Sequence, residues 1–187
     1  MKITIISPSM GKVRGRNYVK TWSLEPLNLA VLASLTPKNI EIEFIDDRFE
    51  EIPEHIDSDL VAMPVETYTA KRTYIIADQF RAKKIPVVLG GIQASLVPDE
   101  VQKHADSIVI GNAEQTWPKL LHDLENHNLQ ASYTDQTKNG ILQHTVPDRS
   151  IYSHLKYAPI KLIETGRGCP FYCDFCAIAG SYNGSYR

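Results

Sequence analysis

Hydrophobic residues in the first 125 positions fall into two arrangements. Short, nearly continuous apolar runs rich in Ile and Val lie at residues 3–6, 40–45, 60–65, 87–89 and 108–110. A strand covered on both faces must be apolar at almost every position, so these runs predict five strands of a buried, parallel sheet. Between them the apolar residues recur at helical spacing. Residues 26–35 carry Leu27, Val31, Leu32 and Leu35, with Ser23 just upstream and Pro26 in the first turn. Residues 70–83 carry Ile75, Ile76 and Phe80 and end at Lys83-Lys84, which suits the negative end of a helix dipole. Residues 98–104 and 117–124 repeat the pattern over shorter spans. This strand–helix alternation predicts an α/β fold of Rossmann-like or flavodoxin-like type, a doubly wound parallel sheet.

The pattern changes at residues 126–159. Asn126, His127, Asn128, Gln130, Asp135, Gln136, Lys138 and Asn139 make this stretch polar. Asn139-Gly140 is a hairpin signal, so residues 131–134 are expected to pair with 141–145. Pro147-Asp148-Arg149 reads as a linker. A last apolar run, 160–163, is expected to be a strand leading into the cysteine-bearing segment. The expected organisation is therefore a Rossmann-like domain over 1–125, a polar linker over 126–159, and a third part over 160–187.

Composition narrows the class. The 187 residues include 20 Lys+Arg against 22 Asp+Glu, a net charge of -2, which excludes a dominant nucleic-acid-binding surface. No apolar run approaches the roughly 20 residues of a membrane span. Ser7-Pro8 follows the first apolar run too closely for a signal peptide, so a cytoplasmic location is expected. The three cysteines, Cys169, Cys173 and Cys176, are odd in number and confined to eight residues, which argues against a disulfide framework and for a metal centre.

Their spacing is Cys-x3-Cys-x2-Cys, with Phe175 immediately before the last cysteine and Gly166-Arg167-Gly168 before the first. Three thiolates so close together face one centre only if the backbone wraps around it. Thiolates suit either zinc or an iron–sulfur cluster. A closed zinc site needs a fourth ligand, and His154 is the available histidine, at no usual finger spacing. A [4Fe–4S] cluster accepts three protein ligands when an external molecule takes the open iron.

The cysteine motif, with its Gly-Arg-Gly lead and aromatic residue, resembles the signature of radical S-adenosylmethionine (SAM) enzymes. The resemblance implies a [4Fe–4S] cluster on Cys169, Cys173 and Cys176, with SAM on the unique iron and Phe175 near its adenine. Reductive cleavage of SAM would then yield a 5′-deoxyadenosyl radical. The whole enzyme would be a methyltransferase or ring-modifying type, supplied with electrons by a flavodoxin or ferredoxin and acting on a small molecule. Residues 160–187 would be the first strand and cluster loop of a (βα) barrel that is mostly missing, leaving the chain catalytically incomplete.

The rest of the chain resembles the cobalamin-binding domain that precedes the barrel in a subgroup of that family. Gly90-Gly91 after a strand, and Gly111-Asn112-Ala113-Glu114 after the next, carry this likeness. Ligands of open parallel sheets bind beyond the carboxyl ends of the strands, where a glycine pair allows close backbone approach. Thr67 and Thr69 place two hydroxyls on the same rim. The expected cofactor-contacting set is thus Gly90, Gly91, Thr67, Thr69, Gly111 and Glu114, together with Phe175. The loop after the first strand lacks the Asp-x-His-x-x-Gly motif, so cobalamin would bind without a histidine lower ligand. Lys12, Arg14 and Arg16 in that loop are candidates to meet a phosphate or carboxylate. A dinucleotide-binding oxidoreductase is disfavoured because no Gly-x-Gly-x-x-Gly follows the first strand. The alternative function is a non-catalytic Rossmann-like binding module whose cysteine loop is vestigial or binds zinc.

Overall fold

A computed structural model describes residues 1–13, 16–17, 24–136, 145–182 and 186 of the chain. Its centre is a six-stranded sheet. The strands are β1 (Lys2–Ser7), β4 (Glu41–Asp46), β5 (Leu60–Pro64), β6 (Val87–Gly90), β7 (Ser107–Ile110) and β8 (Ser132–Thr134). A small antiparallel ribbon, β2 (Lys12–Val13) with β3 (Arg16–Asn17), follows β1. The sheet order is β4-β1-β5-β6-β7-β8, and every neighbouring pair is parallel. The expected doubly wound parallel α/β sheet is therefore present. Its order reverses between β1 and β5.

The helices are α1 (Leu27–Leu35), α2 (Ala70–Ala82), α3 (Ile92–Leu96), α4 (Pro98–Val101), α5 (Ala113–Glu125) and α6 (Ala177–Tyr182). Alternate strand residues separate the core into two layers. Ile3, Ile5, Leu60, Val88 and Val109 face α1 and α5, where Trp117 and Leu120 pack. Ile6, Val61, Met63, Val87 and Leu89 face α2, where Ile76 and Phe80 pack. With both faces covered, the inner strands β5, β6 and β7 are buried at nearly every position, whereas the edge strands β4 and β8 carry polar residues such as Glu41, Glu43, Ser132 and Thr134.

Two segments differ from expectation. Residues 132–134 do not form half of a hairpin; they add a sixth parallel strand beside β7. The reason is Tyr133, whose ring enters the core while its hydroxyl donates to Asp123 on α5 at 2.8 Å. The Asn139-Gly140 turn lies outside the described residues. Residues 160–163 form no strand. Ile163 is 83% exposed, and the segment is held instead by Lys161, which pairs with Glu25, and by the Leu162 carbonyl, which accepts from Arg149.

Residues 148–157 pack closely on the sheet domain. The Asp148 N–H donates to the Ala30 carbonyl, Arg149 pairs with Glu25, and Tyr152 is buried with its hydroxyl donating to the Pro26 carbonyl. Glu25 is itself buried. Burial pushes its carboxyl up, but Lys161 and Arg149 outweigh that and hold it below the usual carboxylate range.

Candidate functional site

Beyond the carboxyl ends of β5, β6 and β7 lies a cleft of about 420 Å³, bounded on the other side by α1. This volume is within the range of small-molecule sites. Its walls are apolar, formed by Leu27, Val31 and Leu32 of α1 and by Met63, Val88 and Val109 of the strands. Polar groups stand at its rim: Asn28, Glu66, Asn112, Glu114, Glu164 and Arg167. The local sequence explains the arrangement. α1 starts after Pro26 and turns its Leu/Val stripe to the strand ends, and α5 starts at Ala113, so Asn112 and Glu114 sit where the chain leaves β7.

Arg167 organises one side of the rim. Its guanidinium donates to Glu114 at 2.8 Å, to the Asn112 side-chain oxygen at 2.8 Å, and to both Glu164 oxygens at 3.0 and 2.5 Å. The Arg167 and Glu114 side chains are only 15% and 10% exposed, so the pair is largely out of water. Burial alone would lower the Arg167 pKa, and the two carboxylates more than reverse that. Asn112 also donates to Asp135 at 2.7 Å, which ties the end of β7 to the residue following β8.

Glu66 stands on the opposite side, at the turn from β5 toward α2. Its backbone is fixed: its N–H donates to the Thr69 hydroxyl at 3.1 Å and its carbonyl accepts from the Thr69 N–H at 2.9 Å. Its half-buried carboxylate has no hydrogen-bond or ion-pair partner among the described residues. Burial alone pushes its pKa up.

A second polar cluster lies beside the ends of β1 and β4. Asp46 accepts a forked pair of bonds from Arg48 and one from the Tyr157 hydroxyl at 2.6 Å. Asp47 accepts from Ser9 at 2.5 Å and from Arg72 at 2.8 Å, and pairs with Lys12 at 3.3 Å. Both aspartates are fully buried. Burial pushes the Asp47 pKa up, but Arg72 and Ser9 outweigh it and hold it down. Lys12 thus meets a carboxylate of its own chain. Arg14 lies outside the described residues, as does the Arg16 side chain.

The expected contact residues divide. Gly90, Gly91, Gly111 and Glu114 all line the cleft. Gly91 and Gly111 also have reasons of backbone geometry. At Gly91 φ is +102° and a Cβ would stand 2.9 Å from the Val65 oxygen; at Gly111 φ is +83° and a Cβ would meet the Asp135 side chain at 3.0 Å. Thr67 and Thr69 use their hydroxyls in the loop itself, Thr67 donating to Gln93 at 2.8 Å and Thr69 bonding Glu66. Phe175 is 93% exposed and is not among the residues lining the cleft.

The iron–sulfur expectation is overturned. Cys173 is exposed, Cys169 and Cys176 are half-buried, and all three are free thiols. Among the described residues no three Cys, His, Asp or Glu side chains are placed to hold a metal ion. Cys173 and Cys176 are joined by a tight turn, with the Cys176 N–H donating to the Cys173 carbonyl, and α6 begins at once. The donors therefore do not fit a [4Fe–4S] cluster or another protein-ligated metal cofactor. The unique iron that was to hold SAM, and the reductive cleavage assigned to it, go with the cluster.

Glu66, Glu164 and the rim contacts of Asn112 and Arg167 are not marked by any motif in the sequence. Glu66 stands in the same loop as Thr67 and Thr69, and its signal was a lone acid directly after an apolar strand. Arg167 is flanked by Gly166 and Gly168, which read as service to the cysteines; nothing in the order of residues links it to Glu114, 53 positions away.

No protein-family model matches the chain. Among characterised proteins it is similar to bacteriochlorophyllide d C-8(2)-methyltransferase of Chlorobaculum tepidum, 37% identical over 169 residues, covering 85% of this chain and 37% of that one. It is also similar to the C-12(1)-methyltransferase of the same organism, 30% identical over 168 residues and covering 87% and 37%. Among solved structures it resembles a radical S-adenosylmethionine methyltransferase, TsrM of Kitasatospora setae, with tryptophan and a SAM analogue bound. That match has a TM-score of 0.61 at 17% identity, over 99% of this chain and 42% of that chain. At such identity the likeness is one of fold. The chain spans well under half the length of each of these relatives. Among the described residues no helix is long and apolar enough to cross a membrane.

Proposed function

We propose that this chain is a non-catalytic Rossmann-like binding module of a methyltransferase, working in the cytoplasm, and that it holds a small organic molecule in the cleft beyond β5, β6 and β7. The observation that carries this reading is the cleft itself: apolar walls and a short polar rim at the carboxyl edge of a parallel sheet, where such folds bind ligands. Its likeness over most of its length to two bacteriochlorophyllide methyltransferases supports the methyltransferase setting. Gly90, Gly91, Gly111 and Glu114 are the expected residues that remain candidates for ligand contact. In this reading the segment with Cys169, Cys173 and Cys176 carries no metal, and its Arg167 helps close the rim.

Equilibrium dialysis of the 187-residue chain tests this, with bacteriochlorophyllide d and hydroxocobalamin as separate probes. Hydroxocobalamin carries its metal within its own ring and asks no metal donor of the protein. Saturable one-to-one binding of at least one probe is expected. Asn28→Trp, at an exposed position on the cleft rim, is expected to weaken it about tenfold or more, a change of about 1.4 kcal/mol. Failure of both probes to bind, or binding indifferent to this substitution, would overturn the proposal.

A further inference from the structure

Four charged residues line the cleft among the described residues: Glu66, Glu114, Glu164 and Arg167. Glu114 and Glu164 are paired with Arg167. Glu66 is left over, at a space whose walls are largely apolar, with Asn28 and Asn112 at the rim. A carboxylate drawn partly out of water gains most from a donor that arrives with a ligand, because an ionised carboxylate only accepts hydrogen bonds. Its position is well defined, since the two bonds with Thr69 fix its backbone and the neighbouring Val65 N–H donates to the Gly90 carbonyl.

From this juxtaposition we infer that Glu66 selects the ligand of the cleft, and that the ligand is a largely apolar molecule presenting an N–H donor, an amide or ammonium group, to the turn between β5 and α2. The inference rests on the binding-module reading above and adds the chemistry of the ligand. Ligands that bring a carboxylate to the same point are rejected, because two like charges would meet in a partly desolvated cleft.

Two probes of the same shape test it: indole-3-acetamide and indole-3-acetate, titrated into the ¹⁵N-labelled 187-residue chain and followed by amide chemical shifts. The amide is expected to shift the signals of residues 63–66, 90–92 and 111–114 and to bind about tenfold more tightly than the acid, in line with one charge-assisted hydrogen bond. In Glu66→Gln, which keeps size and turn geometry, that preference is expected to fall to within about twofold. Equal affinities in the natural chain, or a preference that survives Glu66→Gln, would overturn the role of Glu66 while leaving the cleft as a binding site. If neither probe shifts cleft signals, the inference about Glu66 is overturned, while the cleft reading stands or falls on the dialysis above.

Discussion

Gly90 and Gly91 are adjacent, yet a methyl group meets different surroundings at each. At Gly90 it would touch the Val109 side chain at 3.5 Å, an ordinary contact. At Gly91 it would press on the Val65 backbone at 2.9 Å, in a conformation with φ +102° that side chains avoid. Gly91→Ala is expected to cost about 1–3 kcal/mol, whereas Gly90→Ala should stay within about 0.5 kcal/mol. Midpoints of urea unfolding measure both. The pair was visible in the sequence, but only the backbone around it tells which glycine the fold requires and which only lines the cleft. The same holds in the β5–α2 turn, where the sequence offers Thr67 and Thr69 as hydroxyls and Glu66 is the group left without a partner among the described residues.

The elements around β4 are joined by buried charge. Asp47, just past β4, holds Ser9 from the loop after β1, Lys12 from the ribbon, and Arg72 from α2. Because its pKa is lowered in the folded state, its contribution is complete above the unfolded value of about 3.9. That contribution is lost as pH falls through the lower, folded value. Asp47→Asn is expected to cost about 3 kcal/mol at pH 7, the low end of what breaking a buried pair costs. It should also flatten the acid dependence below about pH 4. Thermal midpoints between pH 2 and pH 7 for both proteins check this. Asp46-Asp47-Arg48 is plain in the sequence as a charged cluster after an apolar strand. That Asp46 and Asp47 are both fully buried is decided by residues from four other elements.

At the scale of the whole molecule, Arg167 ties the cysteine-bearing segment to the sheet domain. Its partners Glu114 and Asn112 lie where β7 gives way to α5, far away in sequence. The start of the segment is also held by Lys161 on Glu25 and by the Leu162 carbonyl on Arg149, while Phe171, Tyr172 and Phe175 are all exposed. Arg167→Ala is expected to leave the unfolding midpoint of the sheet domain nearly unchanged. It should speed cleavage by trypsin or chymotrypsin between residues 160 and 175 several-fold, because local opening there becomes cheaper than global unfolding. Protease digestion followed by mass spectrometry reads the sites.

Hydrophobic patterning alone determined the α/β class and the position of all five expected strands of the sheet domain. Inner strands covered on both faces leave their mark residue by residue, in the nearly continuous apolar runs at 60–65, 87–89 and 108–110. The glycines visible at the ends of β6 and β7 line the cleft. Tertiary structure decided what depends on distant residues. The sheet order, and the conversion of residues 132–134 from half a hairpin to a parallel edge strand through Tyr133, follow from pairing between separate segments. The fate of the cysteines has the same cause. Spacing along the chain brings three thiols near one another, but holding a metal requires them to point at one centre. The fold instead gives that segment to Arg167 and its carboxylates, and leaves Glu66 as the open valence of the cleft.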